Sequence, residues 1–170
     1  MICKNVSFTI EQGDRLVLAG RNGCGKSSIM KLICGEDIKY TGNFIKESQL
    51  KISYVSQDTS NLKGNLTGYA RENDIDESLF KAILRKFDFS RTEFEKDMSN
   101  FSGGQKKKVL IAKSLCEKAH LYIWDEPLNF IDVISRMQIE ELLLSYSPTI
   151  LFVEHDSEFS KNIATKTFEF

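Results

Sequence analysis

The sequence predicts an α/β fold, a largely parallel sheet layered between helices. Three observations carry that prediction. Short apolar runs alternate with stretches of helical periodicity along most of the 170 residues, the pattern of strand–helix–strand units. The runs Arg15–Ala19, Leu121–Trp124 and Thr149–Val153 are apolar on both faces, as strands inside a parallel sheet must be. A glycine-rich octapeptide, Gly20-Arg21-Asn22-Gly23-Cys24-Gly25-Lys26-Ser27, stands between the first of these runs and a helical stretch.

Taken in order, Val6–Ile10 alternates like a half-exposed strand, and Gln12-Gly13-Asp14 turns it toward the strand Arg15–Ala19. Ser27 to Cys34 reads as a helix with Gly35 just past its end. Thr41-Gly42-Asn43 precedes two short strands, Phe44–Lys46 and Lys51–Ser56, so a small N-terminal antiparallel β part is expected beside the main sheet. Residues 58–101 then form a compact helical insert, in which Asp76 is an N-cap and Leu79, Ile83, Leu84 and Phe87 share an apolar face. A long helix follows Ser102-Gly103-Gly104-Gln105, with Val109, Ala112, Leu115, Cys116 and Ala119 inward. Its Lys106-Lys107-Lys108 run reads as a solvated face. Asp132 to Tyr146 is a further helix, broken at Ser147-Pro148, and a short helix and the strand Lys166–Phe170 close the chain.

Bulk properties exclude several classes. A net charge of −1 announces no polyanionic partner. No apolar run approaches the roughly 20 residues that span a bilayer, and the N-terminus carries no signal-peptide pattern. Cys3, Cys24, Cys34 and Cys116 lie too far apart in sequence for a zinc motif, which favours reduced thiols in a cytoplasmic protein. Cys24 is read as a small filler within its loop.

The octapeptide fits G-x-x-x-x-G-K-[ST], a phosphate cradle. Glycines let the backbone wrap an anion with its N–H groups, and the helix that follows aims its positive end at the same place. Lys26 supplies charge for outer phosphates, and Ser27 supplies a hydroxyl for Mg²⁺. In parallel α/β sheets, functional groups gather at the carboxyl ends of strands. Here those ends carry Gln57, Asp125-Glu126 and His155. Asp125 is placed to hold Mg²⁺, with Gln57 in reach of metal or water. Glu126 is placed as general base and His155 as a hydrogen-bonding partner of phosphate or water. Ser102-Gly103-Gly104-Gln105 is a second glycine-bearing helix start, hence a second potential phosphate contact. His120 is read as solvated.

Together and in this order, these pieces resemble the nucleotide-binding domain of the ABC ATPase superfamily, whose fold is of the P-loop NTPase type. Residues 20–27 with Ser28 resemble its Walker A motif, Gln57 its Q-loop, and Ser102–Gln105 its signature. Leu121–Asp125 is similar to Walker B with Glu126 as catalytic base, Asp132 to the end of the D-loop, and His155 to the switch histidine. The resemblance implies ATP and Mg²⁺ as ligands, and a second nucleotide-binding domain whose bound nucleotide faces Ser102–Gln105.

The short span from Gln57 to Ser102 and the stretch Trp124-Asp125-Glu126-Pro127-Leu128-Asn129-Phe130-Ile131-Asp132 are most similar to the ABC-F class, in particular to the C-terminal domain of its antibiotic-resistance members. That resemblance implies two linked ATPase domains acting on the ribosome; the alternative is the ATPase subunit of a membrane transporter, and a third reading is nucleotide binding without turnover. Phe101 and Ser28 depart mildly from the commoner Leu and Thr. Only nineteen residues precede Gly20, so residues 1–170 are expected to be one ABC-type domain truncated at its N-terminus, lacking the opening strand and the aromatic residue that stacks on adenine.

Overall fold

The computed structural model describes residues 4–170. Cys3 lies outside the described residues. The framework is one five-stranded, wholly parallel sheet. Its strands are β1 (Arg15–Ala19), β2 (Ile52–Val55), β3 (Leu121–Asp125), β4 (Ile150–Val153) and β5 (Lys166–Glu169), in the spatial order β2-β3-β4-β1-β5. Val55 pairs with Trp124, Trp124 with Phe152, and Val17 with Phe152, so the central strands lie in register. This is the parallel α/β sheet that the apolar runs predict.

Each strand alternates its side chains between two cores. On one face Val17, Val55, Trp124, Ile150 and Phe152 join helices α5 (Gly103–Cys116), α6 (Val133–Tyr146) and α7 (Ser157–Ile163) and the helical insert. On the other, Leu16, Leu18, Ile123, Leu151 and Val153 pack under Met30 and Ile33 of α1 (Lys26–Cys34). The sheet is therefore covered on both sides. Its loop-bearing carboxyl edge remains for chemistry.

The insert contains α2 (Leu66–Glu72), α3 (Glu77–Lys86), α4 (Arg91–Phe94) and a 3₁₀ turn, Met98–Asn100. Asp76 caps α3 by accepting from Leu79 N–H at 2.7 Å, as its sequence position predicts. Phe80, Leu84 and Phe87 are fully enclosed and Ile83 is buried, while Leu79 is 46% exposed. The expected inward place of Leu79 is thus corrected. With the helix starting at Glu77, its phase turns Phe80 inward and Leu79 out.

The antiparallel β part is a second correction. Neither Val6–Ile10 nor Phe44–Lys46 forms a strand. Phe8 and Ile10 still pack on the α1 side of the core, and the Phe8 ring lies 5.2 Å from that of Phe168. The alternation reports burial of one face, but a strand also requires a hydrogen-bonded neighbour. Among the described residues all ladders belong to the parallel sheet.

Candidate nucleotide site

Three glycines shape the loop between β1 and α1. Gly20, Gly23 and Gly25 have φ of 149°, 79° and 114°, values that L side chains seldom adopt. Gly25 is also the N-cap of α1, so the loop delivers its last N–H groups directly into a helix start. Lys26 is buried, and its Nζ reaches back inside the loop to donate to the carbonyls of Gly20 at 2.8 Å and Arg21 at 3.0 Å. Arg21, Asn22, Gly23 and Ser27 are exposed, and Ser28 is half-buried. Cys24 sits 3.9 Å from Lys26 Nζ.

The end of β3 carries Asp125, whose carboxylate is buried and within the influence of Ser27 and Lys26 of the loop. Burial pushes the Asp125 carboxyl above the ordinary carboxylate value and neighbouring Glu126 adds to the rise. The Ser27 hydroxyl and the charges of Lys107 and Lys26 pull the other way.

Glu126 is the centre of a second cluster. Gln57 Nε2 donates to its Oε2 at 2.6 Å, and Asn129 Nδ2 donates to the same oxygen at 2.6 Å. His155 Nε2 lies 3.3 Å from Oε1. One carboxylate thus joins the ends of β2, β3 and β4. Glu126 itself has φ 50°, an uncommon conformation for a side-chain-bearing residue, and its N–H donates to Val153 O at 3.0 Å. The turn aims the carboxylate out of the strand line toward Gln57 and His155. Glu154 supports the turn by accepting from Leu128 N–H at 3.0 Å.

Ser102 caps α5 through a reciprocal box. Ser102 N–H donates to Gln105 Oε1 at 2.9 Å and Gln105 N–H to Ser102 Oγ at 3.2 Å. Gln105 Nε2 also donates to Glu93 in the insert. Gly104 is fixed by contact. A Cβ there would lie 2.3 Å from the carbonyl oxygen of Phe130, so the loop between Glu126 and Asp132 rests on this glycine. Phe130 has φ 65° and is 85% exposed.

Two of the three lysines correct the sequence reading. Lys107 is only 2% exposed and Lys108 9%, so neither belongs to a solvated face. Lys108 Nζ donates to Phe87 O at 2.9 Å and pairs with the Asp132 carboxylate at 2.7 Å. Partial burial opposes ionisation of Asp132, but Lys108 and the N–H and hydroxyl of Ser135 outweigh it and hold that carboxyl well below its ordinary range. Lys107 Nζ donates to Ser56 O at 2.9 Å and sits 3.5 Å from Asp125 O. Burial pushes its ammonium below the usual value, while Asp125, Glu126 and Glu154 draw it back. The signal was available in the spacing, since Lys107, Ile111 and Ser114 lie on one helical face and all are buried.

His120 accepts from Lys51 N–H at 3.0 Å through Nδ1 and stands away from the cluster. Cys24, Cys34 and Cys116 are free thiols. Burial pushes the Cys116 thiol up to about 12 and raises that of Cys34, so neither is a thiolate at neutral pH.

The geometry joins a glycine loop, an acidic strand end, and a carboxylate held by Gln, Asn and His. Comparison agrees with it: the family described as ABC transporter matches residues 3–129. The chain belongs to that family. It is an ABC-type ATPase domain and binds ATP. The ATP-binding protein Uup of Buchnera aphidicola subsp. Acyrthosiphon pisum is 34% identical over 100% of this chain and 30% of its own length. The probable ATP-binding protein YbiT of Escherichia coli O157:H7 is 31% identical over 98% of this chain and 32% of its own. ABC transporter F family member 5 of Arabidopsis thaliana is 27% identical over 99% of this chain and 25% of its own. The chain thus spans about a third of the length of these relatives or less. Among solved structures, an archaeal ribosome recycling factor, aABCE1, in complex with ribosomal stalk protein aP1, superposes with a TM-score of 0.76 at 22% identity, covering 94% of this chain and 32% of that one. That likeness shows the fold. No helix among the described residues is long and apolar enough to cross a membrane.

Proposed function

We propose that this domain hydrolyses ATP within an ABC-F type protein that acts on the ribosome, with protection against ribosome-targeting antibiotics as its role. The observation that carries the hydrolytic part is the convergence of Gln57, Asn129 and His155 on the Glu126 carboxylate. A general base needs a fixed orientation toward the proton it takes. Glu126 takes the proton of the attacking water; His155 and Gln57 orient the water and the terminal phosphate. Gly20 to Ser28 hold the phosphates, with Lys26 exchanging a loop carbonyl for a phosphate oxygen.

The donor set suits Mg²⁺. Ser27 and Asp125 supply a hydroxyl and a carboxylate, hard oxygen ligands of the kind this ion shares with phosphates and water, and Gln57 can add an amide oxygen. Bound there, the ion would offset the negative charge that develops on the phosphates.

Ser102, Gly103, Gly104 and Gln105 serve the nucleotide of a second domain. An exposed apolar strip beside them, Phe130, Val133, Ile134 and Met137, supports such pairing. The compact insert, the Asp125–Asp132 loop and the relative named as an ABC transporter F family member support the ABC-F reading. A cytoplasmic location follows from that role. The pairing claim is tested by ATP turnover of the chain in monomeric form, confirmed by light scattering. Turnover is expected to be negligible; steady hydrolysis by a monodisperse monomer would overturn the paired site.

A further inference from the structure

Lys107 is a buried cation in the second turn of α5, near the positive end of that helix dipole, where a lysine is electrostatically disfavoured. Its ammonium is satisfied by backbone. Nζ donates to the carbonyl of Ser56 at 2.9 Å and reaches that of Asp125 at 3.5 Å. These are the peptide groups that lead directly into Gln57 and Glu126. The side chains of those two residues meet at 2.6 Å just beyond.

The rest of α5 follows the same pattern. Ser114, two turns further along on the same face, shares a 2.7 Å hydrogen bond with Ser53 of β2 and accepts from Trp124 Nε1 of β3 at 2.9 Å. The helix that starts at Ser102 is therefore bolted to β2 and β3 at two levels through buried polar groups. Such groups are costly to bury unless satisfied, and satisfied they fix one register. Lys107 is the bolt at the chemical end.

We propose that Lys107 is a positioning residue for ATP hydrolysis, holding the peptides before Gln57 and Glu126 at a fixed distance from each other and from the Ser102–Gln105 helix start. Any movement of that helix start is thereby transmitted to the Gln57–Glu126 pair. A lysine that merely filled the core would be replaceable by an apolar side chain of similar length.

The inference rests on the reading of Glu126 as the base, so both are measured together, in the complete gene product carrying this chain. Steady-state ATP hydrolysis is compared for the native protein, Glu126→Gln, Lys107→Met and Lys107→Gln. The Glu126→Gln rate defines the turnover that does not depend on this site. Lys107→Met is expected to lose about tenfold to hundredfold of the Glu126-dependent kcat, the scale of an ångström misplacement, with KM for ATP unchanged within about twofold. Lys107→Gln, which keeps one donor, should fall between Met and native. Native kcat in Lys107→Met, or a rise in KM matching the loss of kcat/KM, would overturn the proposal. If Lys107→Met does not fold, a native kcat in folded Lys107→Gln would equally overturn it. Undiminished hydrolysis by Glu126→Gln would instead overturn the underlying assignment of the base.

Discussion

Gln57, beyond the end of β2, donates its side-chain amide to the carboxylate of Glu126, beyond the end of β3, at 2.6 Å. The two residues are 69 positions apart, and parallel pairing of Ile52–Val55 with Leu121–Trp124 brings them together. Fold and site are linked here most directly. A shift of that register by one residue would separate the two groups and turn the buried face of β2 outward.

Asn129 holds the same carboxylate oxygen from within the turn, at 2.6 Å. Gln57→Ala removes a donor on another strand, whereas Asn129→Ala removes one that shapes the turn itself. Both substitutions are expected to lower kcat by about tenfold or more, the scale of general-base catalysis being 10² to 10⁴. Nucleotide affinity should stay within about threefold in Asn129→Ala. Titration with a fluorescent ATP analogue beside steady-state kinetics checks this. Loss of affinity without loss of kcat would refute the role given to Asn129.

Gly104 faces the backbone of Phe130, and a methyl group there would approach its carbonyl oxygen to 2.3 Å. Gly104→Ala must displace the Glu126–Asp132 loop or the start of α5. A cost of about 1–3 kcal/mol is expected, as for other overpacked sites, read as a lower urea midpoint at unchanged slope. Gly103→Ala meets the Phe130 ring at 3.4 Å, an ordinary contact, and should leave the midpoint nearly unchanged.

The Asp132–Lys108 pair predicts a pH dependence of defined sign. The Asp132 carboxyl is held below its ordinary range in the folded chain, so its contribution is complete above an unfolded value of about 3.9. It is lost as pH falls through the lower folded value. Asp132→Asn keeps an N-cap side chain but lacks the charge. The stability gap between native protein and variant should be widest near pH 7 and should shrink progressively below about pH 4. Urea midpoints at pH 7, 4 and 3 measure it; a gap that widens in acid would contradict the pair.

Much of this was legible beforehand. The glycine loop, its strand and its helix follow from Gly20, Gly25 and Lys26, because few arrangements place those residues between an apolar run and a helical period. Asp125, Glu126, Gln57 and His155 stand out as strand-end residues, which the parallel sheet then gathers at one edge. The relation among them was not legible. Nothing in a one-dimensional pattern says that Gln57 and Asn129 share one oxygen of Glu126. Three consecutive lysines resemble a solvated face, and only the phase of Lys107 and Lys108 relative to Ile111 and Ala112 shows that these two point inward. Val6–Ile10 shows the converse: its alternation is real, but among the described residues no neighbouring strand completes a ladder.

The central claim is that Glu126 closes an ATP-dependent cycle on the ribosome. Cosedimentation of the complete gene product carrying Glu126→Gln with ribosomes, in ATP and in ADP, tests it most directly. The account predicts strong retention in the ribosomal pellet with ATP and little with ADP, together with loss of Glu126-dependent hydrolysis. Equal partitioning in the two nucleotides, or hydrolysis at the native rate, would contradict it.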